Sequence, residues 1–282
     1  MDKRTTVSGV IDVLVYVGLA FLTAGLGAIG GLGGAVLLVP ALVLTGVPAS
    51  EAAALGLLSV AAGSVAAGGR QLAERSVNHR IGVTTELAAT TGAIVGAIVS
   101  GMIADEVLVW FLAAVALLAA FSGGRRTGIR NPVDPEFTPD EVGERVGSLS
   151  GAYPLGPGVA PYSTRRLPLA LSLMGAAGFV AGTTGASGGF IKTPATSEVM
   201  HVPTKVAAST TTFTIGITAA AALVVFALQG RIDVEAGSAV VLGSLAGGAV
   251  GAALQARLSP VWVRRGLSGL LVVVAVVLVV GR

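Results

Sequence analysis

Eight apolar stretches, each close to the length needed to cross a bilayer, constrain this chain more than any other feature. A helix needs about 20 apolar residues to span the hydrocarbon layer. Such stretches lie at roughly 10–30, 50–69, 82–103, 106–122, 167–186, 204–229, 235–256 and 261–281. Two further apolar segments, about 34–46 and 188–200, are too short to span, and each follows a glycine cluster. The sequence therefore predicts an all-α polytopic membrane protein with eight transmembrane helices. Charge agrees, since 12% of residues are charged against about 25% in a soluble domain. That excludes a disordered chain, a nucleic-acid module and an ordinary cytosolic enzyme. The expected surroundings are lipid bilayer, with no nucleic-acid partner. Cysteine is absent and only two histidines occur. No metal site and no cofactor is expected. Met1-Asp2-Lys3-Arg4 ahead of an apolar run has the look of a signal peptide, but Asp12 interrupts its start, so an uncleaved first span is expected.

Basic residues set the expected orientation. Lys3 and Arg4 precede the first span; Arg70, Arg75 and Arg80 follow the second. Asp105 and Glu106 separate the third and fourth without a base. Residues 124–166 form a polar, Pro-rich linker carrying six Arg. The pattern predicts a cell-membrane protein with N-terminus, linker and C-terminus in the cytoplasm. Arg257, Arg264 and Arg265 dissent, because that orientation places them outside. Within the linker, Thr138-Pro139-Asp140-Glu141 reads as a capping box that starts a short surface helix running to about Val146. The linker as a whole reads as a tether.

The chain repeats itself. Pro40 and Pro194 are 154 residues apart; Pro48 and Pro203, Gly92 and Gly247, and Gly96 and Gly251 are 155 apart. Residues 1–123 and 167–282 thus form two pseudo-repeats of four spans, each with one Gly/Pro-broken short segment. An even span count predicts that both halves enter the membrane from the same side, about an axis along the membrane normal. Broken segments at matched positions point to a transporter site. Freed amides at a helix N-terminus attract anions, and glycine lets ligand and backbone approach closely.

The run Gly31-Leu32-Gly33-Gly34-Ala35-Val36-Leu37-Leu38-Val39-Pro40-Ala41-Leu42 and its counterpart Gly185-Ala186-Ser187-Gly188-Gly189-Phe190-Ile191-Lys192-Thr193-Pro194-Ala195 resemble the sulfite exporter TauE/SafE family of membrane permeases. Each run is followed by a Val-Pro turn and an Ala-rich helix, at Val47-Pro48 and Val202-Pro203. The resemblance covers nearly all of the chain outside the linker. It implies a permease, not an enzyme, for sulfite, a sulfonate or a related organic anion.

The residues expected to face a small anionic substrate are Gly31, Gly33, Gly34 and Pro40 in the first break. In the second they are Thr183, Thr184, Gly185, Ser187, Gly188, Gly189, Lys192 and Pro194. Thr210 and Thr211 belong to a run with five hydroxyls in six positions, which covers every face of a helix, so some must point inward. Lys192 is the membrane-embedded cation, with Glu198, water or the anion itself as its partner. Lys205 and Glu51 begin helices and are expected near water. Gly25-Leu26-Gly27-Ala28-Ile29-Gly30 matches a dinucleotide fingerprint, but the soluble strand–turn–helix it requires is missing. An anion channel is the close alternative to a secondary permease, and a membrane-embedded enzyme the more distant one.

Overall fold

The computed structural model describes residues 3–30, 33–124, 142–155, 158–255 and 260–280. Gly31 and the Thr138–Glu141 capping box lie outside them. The helices are α1 (Lys3–Gly30), α2 (Ala35–Leu44), α3 (Ala49–Ala73), α4 (His79–Ser100), α5 (Asp105–Gly124), α6 (Leu167–Thr184), α7 (Gly189–Pro194), α8 (Thr204–Leu228), α9 (Val234–Gln255) and α10 (Pro260–Val280). One π-helical turn, Ala195–Val199, continues α7. Among the described residues, seven helices are long and apolar enough to cross a membrane. The eighth expected span, α10, is helical over 21 residues, with an apolar stretch Gly266–Val280.

Helix starts repeat along the chain. Ala49 and Thr204, His79 and Val234, and Asp105 and Pro260 each begin a helix and are 155 residues apart (204 − 49, 234 − 79, 260 − 105). Asn78 and Asp233 cap at the same offset. The Asn78 side chain accepts from Ile81 N (2.8 Å), and Asp233 Oδ1 accepts from Glu235 N (2.8 Å).

Helix directions overturn the same-side expectation. Ser76, just past α3, donates to Ser209 near the start of α8 (2.9 Å). Arg231, just past α8, donates to the Ser50 carbonyl at the start of α3 (3.1 Å). The two matched helices are therefore antiparallel. So are α5 and α10, whose Ala120 carbonyl, late in α5, accepts from Ser268, early in α10 (2.9 Å). The expectation failed because it counted four legs per half. Gly34 packs against Thr23 and Ala24 of α1, and α2 carries the chain back toward the end where α3 begins. Likewise Gly185 packs against Ala53 near the start of α3, and α7 returns the chain to the opposite end, where α8 begins. Ten helical residues rise only about 15 Å, half the hydrocarbon thickness, but with their irregular flanks they make a fifth leg. An odd number of legs reverses the second half.

Glycine creates the tightest helix contacts. Gly92 and Gly96 of α4 lie against the Gly175 and Phe179 carbonyls of α6, and Gly178 and Gly182 lie against Ala89 and Ala93 in return. Gly247 and Gly251 of α9 pack on Phe21 and Gly25 of α1 in the same way. Small residues permit this approach, and packing holds helices together in lipid. Gly25 and Gly27 are helical, Gly25 against Gly247 of α9 and Gly27 against the Gly33–Gly34 backbone of the first break, which accounts for the fingerprint-like spacing.

The linker is not a bare tether. It folds into an antiparallel sheet, β1 (Gly143–Glu144), β2 (Gly151–Leu155) and β3 (Gly158–Tyr162), in that order. The surface helix expected to reach Val146 gives way to β1 and a turn, because Gly143 (φ +136°) and Gly147 (φ +79°) adopt backbone closed to a right-handed helix. Tyr153 and Tyr162 are buried with Ile81 of α4 and Val206 of α8. The sheet thus covers the end of the bundle where α4 and α8 begin. The α1 start and the α10 end lie at the far end, since α1 runs parallel to α9 and α10 antiparallel to α5. Linker and termini therefore occupy opposite ends, not one side as the sequence suggested.

Asn78 joins this sheet to the bundle. Its Nδ2 donates to Tyr162 Oη (2.8 Å) and to the Leu149 carbonyl (3.3 Å). Burial pushes the Tyr162 phenol up to about 12. The unfolded phenol ionises near 10, so this stabilisation is fully present below pH ~10 and is lost as pH rises toward 12. Tyr162→Phe should cost about 1 kcal/mol at neutral pH and flatten that alkaline loss. Thermal melts of purified protein between pH 8 and 11 check both.

Candidate functional site

The two breaks meet inside the bundle. Gly33 (φ +85°) lies against the Ser187 side chain, and Gly185 (φ +69°) ends α6 with its α-carbon face on the Ala53 backbone. A methyl at either glycine would overlap its neighbour, and the positive φ already disfavours any other residue. Non-helical backbone at this depth is tolerated only when protein covers it, and these contacts cover it.

Beside the junction, the Lys192 ammonium donates to Glu86 Oε2 of α4 (2.8 Å) and to Thr218 Oγ1 of α8 (2.5 Å). Thr218 Oγ1 donates in turn to Glu86 Oε1, and Thr90 Oγ1 approaches the same oxygen (3.4 Å). Lys192 is 1% exposed and Glu86 5%. Glu198, one of the partners expected from sequence, is exposed and takes no part. An enclosed cavity of ≈ 10 Å³ is lined by Ser187, Gly188, Lys192 and Thr218, with Leu57 and Ile215 among its apolar walls. It has room for about one water.

The remaining candidates divide. Gly188 and Gly189 begin α7 next to the cavity, and Pro194 closes that helix. Gly34 and Pro40 are in the first broken segment, Gly34 against α1 and Pro40 buried within α2. Thr183 and Thr184 donate to their own helix, at the Phe179 (2.7 Å) and Val180 (2.8 Å) carbonyls. Thr210 accepts from Asn78 N (2.9 Å) near the linker end, two turns along α8 from Thr218. Thr211 is buried on that same first part of α8. Lys205 is exposed, 3.4 Å from Glu74, whose carboxyl the Arg70 guanidinium holds below its ordinary range. Glu51 is exposed at the start of α3.

Sequence reasoning missed Glu86 and Thr218. A carboxylate inside an apolar span is itself a signal, and Glu86 stands inside the third one. Its pairing with Lys192, 106 residues away, has no local signature.

The described residues thus combine seven helices long and apolar enough to cross a membrane with two buried chain breaks and an ion pair beside their junction. The chain belongs to the sulfite exporter TauE/SafE family, whose model matches residues 16–278. That family consists of transporters, not enzymes. No curated protein and no solved structure matches.

Proposed function

We propose that this protein is a secondary permease of the cell membrane for a small anion: sulfite, a sulfonate or a related organic anion. The observation that carries the reading is the buried Lys192 ammonium, set beside a cavity where the two broken segments meet. An intramembrane lysine facing a cavity suits an anion pathway. Ser187 and the Gly188-Gly189 backbone at the start of α7 add polar groups on the same side. The cavity, ≈ 10 Å³, is smaller than a sulfite ion, so loading requires the segments around it to move. That favours alternating access over a channel. Residues 1–123 and 167–282 act as inverted repeats across the linker 124–166; the antiparallel matched helices and the 155-residue offset support this. Proteoliposomes offered sulfite, methanesulfonate and acetate test the function. Saturable uptake with counterflow of one or more anions supports a permease, and linear, non-exchanging flux would indicate a channel.

Charge orients the molecule. The linker end carries Arg70, Arg75, Arg80, Arg145, Arg165, Arg166 and Lys205. Helix α10 starts at that same end, with Arg264 and Arg265 in its first turns. The far end carries Glu51, Asp105, Glu106, Asp233 and Glu235, with Arg231 and, at the α1 start, Lys3 and Arg4. The greater number of bases therefore places the linker end in the cytoplasm, with Arg264 and Arg265 on that side and Lys3 and Arg4 on the other. The chain holds no cysteine, so single cysteines report cleanly. An impermeant maleimide should label Glu235→Cys in intact cells and Val146→Cys only after permeabilisation. The opposite pattern would reverse the orientation.

A further inference from the structure

We infer that Glu86 is the proton-coupling carboxylate of this permease, because Glu86 and the transported anion compete for the Lys192 ammonium. The inference rests on the reading that Lys192 receives the anion.

Among the described residues, Glu86 and Lys192 are the only buried charged side chains. The elements packed around them carry their other charges at helix ends. These are His79 and Arg80 on α4, Glu51 and Arg70 on α3, Asp105 and Glu106 on α5, Glu198 after α7, and Lys205 on α8. None of these hydrogen-bonds to the pair. The charge balance at the junction therefore belongs to two side chains and whatever enters the cavity.

An uncompensated charge in low dielectric costs several kcal/mol even after relaxation. Two occupancies avoid that cost. In the first, Glu86 is ionised, Lys192 is bound to it and the cavity holds no anion, so the net buried charge is zero. The Lys192–Glu86 contact on which this occupancy rests is present in the structure. In the second, a proton neutralises Glu86, and a monovalent anion beside Ser187 and Gly188 takes its place on the ammonium. The net charge is again zero. The two mixed occupancies, proton without anion and anion without proton, each leave one unit unbalanced. A conformational change that passes only balanced occupancies carries one proton with each monovalent anion, in the same direction.

The position of the pair fits this role. Lys192 rides on the short returning segment, while Glu86 and Thr218 sit on long helices of opposite halves. Release of the ammonium from Glu86 thus removes the tie from α7 to α4 and leaves the bond to Thr218 of α8. Thr218 can donate to ionised Glu86, as it does here, or accept from a protonated carboxyl, since a hydroxyl does both.

The test uses methanesulfonate, which does not titrate near neutrality, with sulfite alongside. For wild-type protein in proteoliposomes, an acid-outside gradient of one pH unit should drive up to about tenfold accumulation. A trapped pH dye should record one proton entering per anion. Glu86→Gln protein that exchanges methanesulfonate, at whatever rate, should lose accumulation driven by the pH gradient. Net methanesulfonate uptake in wild type without proton entry overturns the coupling, and so does Glu86→Gln protein that still accumulates against the gradient. If Glu86→Gln does not fold, the wild-type proton count decides. Absence of counterflow for both anions would instead remove the permease reading, and the coupling with it.

Discussion

Gly178→Leu is expected to abolish the folded protein. A β-carbon at this position would overlap the Ala89 carbonyl of α4, and its neighbours are equally close: Gly182 on Ala93, Gly92 on Gly175, Gly96 on Phe179. The obstructing atoms are backbone, so no side-chain rotation relieves them. Overpacking a core side chain costs ~1–3 kcal/mol when neighbours can shift. Here α4 and α6 must separate along their length, and the loss should exceed that range. Separation would also displace Glu86, three residues before Ala89, from Lys192. Gly18→Leu is the control, since nothing lies within 4 Å of a β-carbon there, and it should stay within about 0.5 kcal/mol of wild type. Monodisperse yield from detergent and melting temperature separate the two variants. Wild-type yield and melting for Gly178→Leu would refute the close packing of α4 on α6.

The glycine pairs show how far the sequence could be read. Gly92-x3-Gly96 and Gly247-x3-Gly251 signal close helix packing from spacing alone, and they do pack closely. Their partners, α6 and α1, lie in the opposite half, and no local pattern names them. The spans were legible because each is a continuous apolar run. Direction was not, because it depends on whether α2 and α7 count as legs. Ten and six helical residues fall below any spanning length, yet with their irregular flanks they carry the chain across. Charge held a partial clue, since a reversed second half starts α10, with Arg264 and Arg265, at the linker end, although Lys3 and Arg4 then start α1 at the other. The linker sheet was hidden for another reason. Its strands are short and gain their burial from Ile81, Met200 and Val206, residues far off in sequence. At the site, Lys192 was conspicuous as a cation beside a chain break, whereas Glu86 becomes meaningful only once α4 is placed against α7 and α8.

Lys192→Met should lose both stability and transport, and a second substitution should recover only the first. The methionine keeps the apolar stem but leaves Glu86 buried without its cation. Breaking one side of a buried pair typically costs ~3–5 kcal/mol, because the orphaned charge stays desolvated. Combining Glu86→Gln with Lys192→Met removes both charges. The neutral amide that replaces the carboxylate can still bond to Thr218, so most of that loss should return, as it does when buried pairs are replaced together. Transport should not return, because no ammonium is left to hold the anion. The cycle therefore separates the two roles of one residue. A double variant that melts like wild type and still exchanges anions would reduce the ion pair to scaffolding. One that melts like wild type and exchanges nothing places the transported charge on Lys192. Lys205→Met gives the baseline, since that ammonium is exposed and its contact with Glu74 lies at the surface, where ion pairs contribute at most about 1 kcal/mol.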